Sequence, residues 1–456
     1  MTRVTIPAQA VLGGWVILVL CAPASAEDWR QFRGAGASGV ARDAKLPVEW
    51  APNEHVAWRV KLPGIGWSQP ITVGDKIFVT TAESDEQSRP DPKNRGPGMG
   101  GFASLFSGVG IKLAPPDVQY RWKVLCLDAA KGSVLWEQVA REGRPTMRTH
   151  ANNTYASETP ATDGERLVAY FGMAGVYCYD LSGKPLWSND LGAYPMQFDW
   201  GTGSSPILFG DHVYIQCDND EASFLVALHK QTGEEAWRID RDEKSNWATP
   251  YIWKNKLRTE LVTAGGNRMR SYDPKRGELL WEMTGSGRTA STPVGDEEML
   301  YVDSYDRLTG NSGVFAAIRP GGAGDISLKP KESTNSHVAW STRLTGYRIA
   351  SPLLYNGCLY ILEQSGVARC LDAVTGEEHY RKRVPGAKGF TASPVANGGK
   401  VFFVDGNCTT TVIDAGTELT VVATNELDEM CWASPAVSGD RLLLRTVDHL
   451  YCIGAE

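Results

Sequence analysis

Apolar residues in this chain fall in strand-length runs separated by turn residues, and the alternation returns many times. The fullest copy reads Ser205-Pro206-Ile207-Leu208-Phe209, then His212 to Gln216, then Phe224 to Leu228, and ends in Gln231-Thr232-Gly233-Glu234-Glu235-Ala236-Trp237. Gly210-Asp211 and Thr232-Gly233 are turn dipeptides between these runs, so the copy predicts strand, turn, strand, loop, strand, turn, strand. Each copy is then one four-stranded antiparallel sheet.

The repeat is marked at its start by a small or polar residue before proline, at Pro70, Pro160, Pro206, Pro250, Pro293, Pro352, Pro394 and Pro435. Their separations are 90, 46, 44, 43, 59, 42 and 41 residues. A period of about 40 to 45 residues suits one propeller blade, and the count predicts an all-β, eight-bladed propeller. A second marker is glycine four residues before a ring: Gly132/Trp136, Gly183/Trp187, Gly233/Trp237, Gly277/Trp281 and the softer Gly376/Tyr380. Glycine can take the positive φ of a tight turn, and the ring can lie against the neighbouring unit. Trp58, Trp136, Trp187, Trp237, Trp281, Trp340 and Tyr380 are therefore expected to pack blade on blade. The last copy, from Pro435, runs out after three strands at Tyr451-Cys452-Ile453, while His55 to Val60 has outer-strand character and no unit ahead of it. The two ends are expected to share a blade, leaving no open seam.

At 456 residues the chain exceeds a single growing core, yet no linker divides it. A repeat array accounts for that, since each blade interface is its own small core. Residues 27–456 are expected to form one propeller. Residues 1–26 carry Arg3, an apolar run from Ala10 to Ala22 and Ala24-Ser25-Ala26, the pattern of a cleaved signal peptide. The mature chain is expected in the periplasm or outside the cell, without a membrane anchor and as a monomer. Its net charge, −7 before cleavage, gives no basic footprint for nucleic acid. Of nine cysteines, Cys126, Cys178, Cys370 and Cys452 hold one repeat position that Ala227 holds elsewhere, which reads as a small buried slot. Cys358 and Cys370 flank one predicted turn and could face each other in a bridge. Two spacings are long. The first holds a Gly- and Pro-rich insertion at 84–119, read as a mostly mobile excursion with an apolar centre at Phe102 to Phe106; the second holds a loop from Arg319 to Ile326.

The repeats resemble those of the eight-bladed pyrroloquinoline quinone (PQQ) propellers, on Cys126-Leu127-Asp128 with Gly132 and Trp136, and on Cys370-Leu371-Asp372-Ala373-Val374-Thr375-Gly376. The opening Asp28-Trp29-Arg30-Gln31-Phe32-Arg33-Gly34 is similar to that of secreted PQQ-like repeat proteins of planctomycete-type bacteria. The resemblance covers residues 28 to 456 and implies the fold. For function it leaves two branches: quinoprotein dehydrogenases that hold PQQ with calcium, and scaffolds like the barrel assembly lipoprotein BamB. The chain has no adjacent Cys-Cys pair, which many of those dehydrogenases set against the quinone, no calcium-binding set that aligns to theirs, and no lipobox.

Loops entering the innermost strands ring one mouth of a propeller, so the segments just before the repeat prolines are the candidate ligand site. They supply Arg148, His150, Asn152, Tyr155, Asp199, Trp200, Asn246, Trp247, Arg288, Arg348, Lys388 and Trp432. A cationic, indole-lined mouth suits an anionic or planar ligand or an extended peptide. The competing reading is packing around a water-lined channel, which the shared offset of Trp67, Trp247 and Trp432 from their prolines favours. Glu158, Asp199 and Glu429 are the carboxylates near the mouth. No His-x-His or Cys-x-x-Cys spacing suggests a dedicated metal site. No catalytic residue is assigned and neither PQQ nor calcium is expected; the expectation is a binding or assembly scaffold for envelope or secreted proteins. A PQQ- and calcium-dependent dehydrogenase, or a carbohydrate-binding or glycan-cleaving propeller, are the alternatives.

Overall fold

The computed structural model describes residues 27–86, 89–90, 114–285, 287–304 and 313–454. The leader at 1–26 and most of the insertion at 84–119 lie outside the described residues. Eight antiparallel sheets form an eight-bladed propeller. Blade 1 comprises Ile71–Val73, Lys76–Glu83, Tyr120–Asp128 and Val134–Gly143, from the channel outward. The same order repeats from the inner strands Ala161–Thr162, Ile207–Phe209, Tyr251–Lys254, Val294–Gly295, Leu353–Tyr355 and Val395–Asn397, which open blades 2 to 7. Blade 8 combines Ala436–Ser438, Arg441–Arg445 and His449–Ile453 with Val56–Lys61, Trp58 standing opposite Cys452. The ring thus closes through the two ends of the chain, as the truncated last repeat requires.

The outer ring of contacts follows from the Gly-x-x-x-Trp spacing. Gly132, Gly183, Gly233, Gly277 and Gly376 take φ of 71°, 90°, 74°, 70° and 75°. Each lies under the ring of the preceding blade, so that a Cβ on Gly233 would sit 2.4 Å from Trp187 and one on Gly132 would sit 2.5 Å from Trp58. Four of the indoles donate Nε1–H to a carbonyl oxygen in the same turn of the next blade: Trp58 to Ala129, Trp136 to Leu181, Trp187 to Lys230 and Trp340 to Ala373. The position opposite each ring in its own sheet is small: Cys126, Cys178, Ala227, Ser271, Ala317, Cys370 and Cys452. Immediately after it the register slips by a bulge.

The inner ring explains the residue before each proline. Gln69 N–H donates to the Thr159 hydroxyl, Thr159 N–H to Ser205, Ser205 N–H to Thr249, Thr249 N–H to Thr292, Thr292 N–H to Ser351, Ser351 N–H to Ser393 and Ser393 N–H to Ser434, all at 2.9 to 3.1 Å. An inner strand has no strand partner on its channel side, and these side chains satisfy amides that would otherwise be buried unpaired. At the seam between blades 8 and 1 the pattern changes: Gln69 carries an amide in place of a hydroxyl and donates Nε2–H to the Pro435 carbonyl oxygen.

Residues 28–50 cross the face formed by the turns that follow the inner strands. Trp29 exchanges hydrogen bonds with Thr72 of blade 1, Thr162 N–H of blade 2 donates to Arg30 O, Ala41 N–H donates to Ala396 O of blade 7, and Lys45 N–H donates to Asp440 of blade 8. Ala37 packs among Tyr251 and Trp253 of blade 4. This strap covers one end of the central channel.

One open reading is resolved and one expectation corrected. All eight described cysteines are free, Cys358 and Cys370 included. Tyr360 stands directly opposite Cys370, and Cys358 reaches Cys370 along the diagonal of the sheet as a neighbouring thiol. The stretch from Arg319 to Ile326 is also more than a loop. Gly324–Asp325 adds a fifth strand, parallel to Leu279–Thr284 of blade 4, and Gly322 lies under Trp281 as the turn glycines do elsewhere.

Candidate functional site

On the face opposite the strap, three loops converge over blades 2 to 4. They are residues 147–158, 196–204 and 246–249, each leading into an inner strand. Asn153 Nδ2 donates to Trp200 O at 2.7 Å and Thr202 O at 3.2 Å, and Trp247 Nε1 donates to Gly201 O at 2.7 Å. A Cβ on Gly201 would meet Thr149 Oγ1 at 2.3 Å, so only glycine allows this approach. The loops hold an aromatic ledge. The Trp200 and Trp247 ring centroids are 5.5 Å apart with a 39° tilt, and Phe198 lies 5.4 Å from Trp200. All three are partly exposed. Phe198 and Asp199 both have positive φ, 52° and 55°, a strained backbone for non-glycine residues and a common mark of sites where geometry matters.

Below the ledge the polar groups are buried. Glu158 is 1% exposed, its Oε1 has no hydrogen-bond partner among the described residues, and burial raises its pKa to about 7 against a hydrogen bond from Thr202. His150 accepts the Asn152 N–H at Nδ1, its Nε2 is buried without a partner among the described residues, and burial holds it below the usual imidazole range. Burial thus disfavours the charged form of both groups, and Glu158 is partly protonated at pH 7.

The structure divides the predicted ligand residues into two groups. Arg148, His150, Asn152, Asp199, Trp200 and Trp247 come together in this sector; Arg148 lies 3.9 Å from Asp199 and donates to Ala114 O. Asn152 O accepts the Trp67 indole N–H. Others turn inward. Tyr155 packs on Tyr120 and Trp122 and donates its hydroxyl to Met147 O, and Asn246 accepts from Thr289 N–H and donates to Ala264 O. Arg348 is not a mouth cation: it makes two 2.7 Å hydrogen bonds to Asp303, with both side chains buried. Its neighbours follow the same plan, with Arg241 on Asp218 and Arg369 and Arg381 on Glu363, because the second strand of these blades ends in a carboxylate that a cation from a nearby strand or loop answers. Arg288 is half-buried beside Gly266, Lys388 is exposed, and Trp432 lies 6.0 Å from Trp67 at the entries to blades 8 and 1. Glu158 had a sequence signal: the other repeats carry Ser68, Ser204, Ala248, Ser291, Ala350, Ala392 and Ala433 two places before the proline.

Away from this sector, Glu429, Asp448 and His449 are the one group of three His, Cys, Asp or Glu side chains close enough to share an ion among the described residues. Both Glu429 oxygens already accept, from Thr446, His449 and Tyr451, and Asp448 pairs with Arg89. A groove of about 930 Å³ lies on the strap face between Lys45, Asp75, Ala130 and Arg441.

Fold and repeat define an eight-bladed propeller of the PQQ-like repeat class. The family model described as outer membrane protein assembly factor BamB matches residues 120–252, 225–318 and 328–446, and the chain belongs to that family. No curated protein matches the sequence. Among solved structures, BamB from Moraxella catarrhalis is similar at 13% identity and a TM-score of 0.58, over 88% of this chain and 97% of that one. A europium-containing methanol dehydrogenase is similar at 10% identity and a TM-score of 0.61, over 94% and 98%. The quinohemoprotein alcohol dehydrogenase from Comamonas testosteroni is similar at 11% identity and a TM-score of 0.55, over 94% and 81%. At these identities the likeness is one of fold. No helix among the described residues is long and apolar enough to cross a membrane.

Proposed function

We propose that this protein is an exported, non-catalytic scaffold whose mouth over blades 2 to 4 receives an extended segment of an envelope or secreted protein. The observation that carries this reading is the partly exposed aromatic ledge of Phe198, Trp200 and Trp247, while the cations Arg241, Arg348 and Arg369 are held by internal carboxylates. Stacking rings with exposed faces bind side chains and peptide planes at low entropic cost. Two groups that a quinone carboxylate or its calcium would draw on are committed elsewhere, Arg348 to Asp303 and Asn246 to Thr289 and Ala264, which supports the peptide reading over the quinone one. No two cysteines are adjacent in the sequence.

The test is site-specific photo-crosslinking in the producing cell. A crosslinking residue at Phe198 is expected to give a discrete protein adduct, and one at Val374, which is 74% exposed on the outer turn of blade 6, is expected to give none. Equal labelling from both positions, or none from either, contradicts the reading.

A further inference from the structure

The strap places an arginine across the axis of the ring. Arg33 N–H donates to Gln69 Oε1 of blade 1 at 2.6 Å, and its Nη2 donates to Pro352 O of blade 6 at 2.6 Å and to Ser38 O at 3.3 Å. Blades 7 and 8 separate these anchors on one side of the ring and four blades separate them on the other, so the side chain spans the channel. Arg33 is 1% exposed. A guanidinium is charged at neutral pH, and a buried charge requires an opposing charge or a full set of acceptors. Among the described residues Arg33 has no carboxylate partner, and its Nε and Nη1 have no acceptor. Burial without a carboxylate pushes its pKa down to about 10. Arg445, at the end of the second strand of blade 8, repeats the situation: Nη1 donates to the carbonyl and hydroxyl oxygens of Ser68, Nε has no acceptor among the described residues, and burial lowers the pKa to about 9.

We propose that the central channel binds a small monovalent anion, halide in size, against Nε and Nη1 of Arg33. The guanidinium is 1% exposed and no carboxylate acts on it, which suits a small ion of single charge, and its Nη2 side is closed. Nη2 is already held between two carbonyl oxygens, and even a methyl group on Gly39 would come within 3.2 Å of it and 3.0 Å of Pro394 O. The ion completes the coordination of a side chain that ties the strap to both sides of the ring, so its occupancy is linked to stability. This site is independent of the mouth and of what binds there.

Bromide is the probe. Crystals of the protein grown without halide and soaked in sodium bromide are expected to show an anomalous peak within hydrogen-bond reach of Arg33. In solution, replacing sodium gluconate by bromide at constant ionic strength should raise Tm saturably, by ~3 °C at a hundredfold excess over Kd. Arg33→Met should abolish that dependence. If Arg33→Met does not fold, the wild-type crystal and titration decide. A channel holding only water at Arg33, with Tm indifferent to the anion, overturns the proposal.

Discussion

Thr292 donates its amide to the hydroxyl of Ser351 at 3.0 Å, joining two blades across a separation of 59 residues. Neither residue is exposed, and the bond is one link of a chain that runs from Gln69 through seven successive blade entries to Ser434. The long loop between them changes nothing in the link itself. Whatever a repeat inserts farther out, its inner strand must still offer an acceptor to the blade before it.

Ser351→Ala should therefore cost about 1 to 2 kcal/mol, because it leaves the Thr292 amide buried without a partner. Ser351→Thr should keep most of the stability, since threonine serves in the same way at 159, 249 and 292. Urea denaturation of the two variants measures the difference, and equal losses would argue that the hydroxyl is not the relevant group.

Gly233→Ala and Gly210→Ala should separate two glycine roles. Both have positive φ, 74° and 60°, but a Cβ at 233 meets Trp187 at 2.4 Å whereas at 210 it meets open space. The first should lose about 3 kcal/mol through strain and displacement of the indole, the second about 1 kcal/mol through strain alone. Equal effects in chemical denaturation would show that the indole contact is dispensable.

Glu158 should make stability depend on pH. Its folded pKa of about 7 lies above the ordinary carboxylate value, so the folded state holds the proton more tightly than the unfolded chain. The contribution is full below about pH 4, falls as pH rises toward 7, and is absent above it, a swing of ~3 kcal/mol. Glu158→Gln should remove this slope and be more stable than wild type at pH 8. Parallel pH profiles for the two proteins would contradict the burial of an uncompensated carboxyl.

Much of the ring was legible in the sequence because the contacts that build it repeat. The proline marker, the glycine-to-indole spacing and the truncated last unit each reflect a contact made many times, so the sequence shows it many times. Single contacts left weaker traces. The strap's reach from Arg33 to Pro352 joins residues far apart in the chain and occurs once. Arg348 read as a mouth cation because only the fold brings it to Asp303, forty-five residues upstream. Cys358 and Cys370 stand close in sequence, but strand register sets them on a diagonal.

All eight described cysteines should remain thiols in the purified protein. Alkylation in denaturant without reductant, read by intact mass, should add eight labels to the chain from residue 27. A count of six would show that one pair has oxidised.

The most direct test of the scaffold reading is to titrate the chain from residue 27 with PQQ and calcium, following tryptophan fluorescence and dye-linked alcohol oxidation. The account predicts neither saturable quenching nor turnover at high micromolar quinone, because Arg348 and Asn246 are bonded within the protein and the mouth presents aromatic faces suited to a peptide. Saturable quenching at Trp200 and Trp247 accompanied by alcohol oxidation would contradict it.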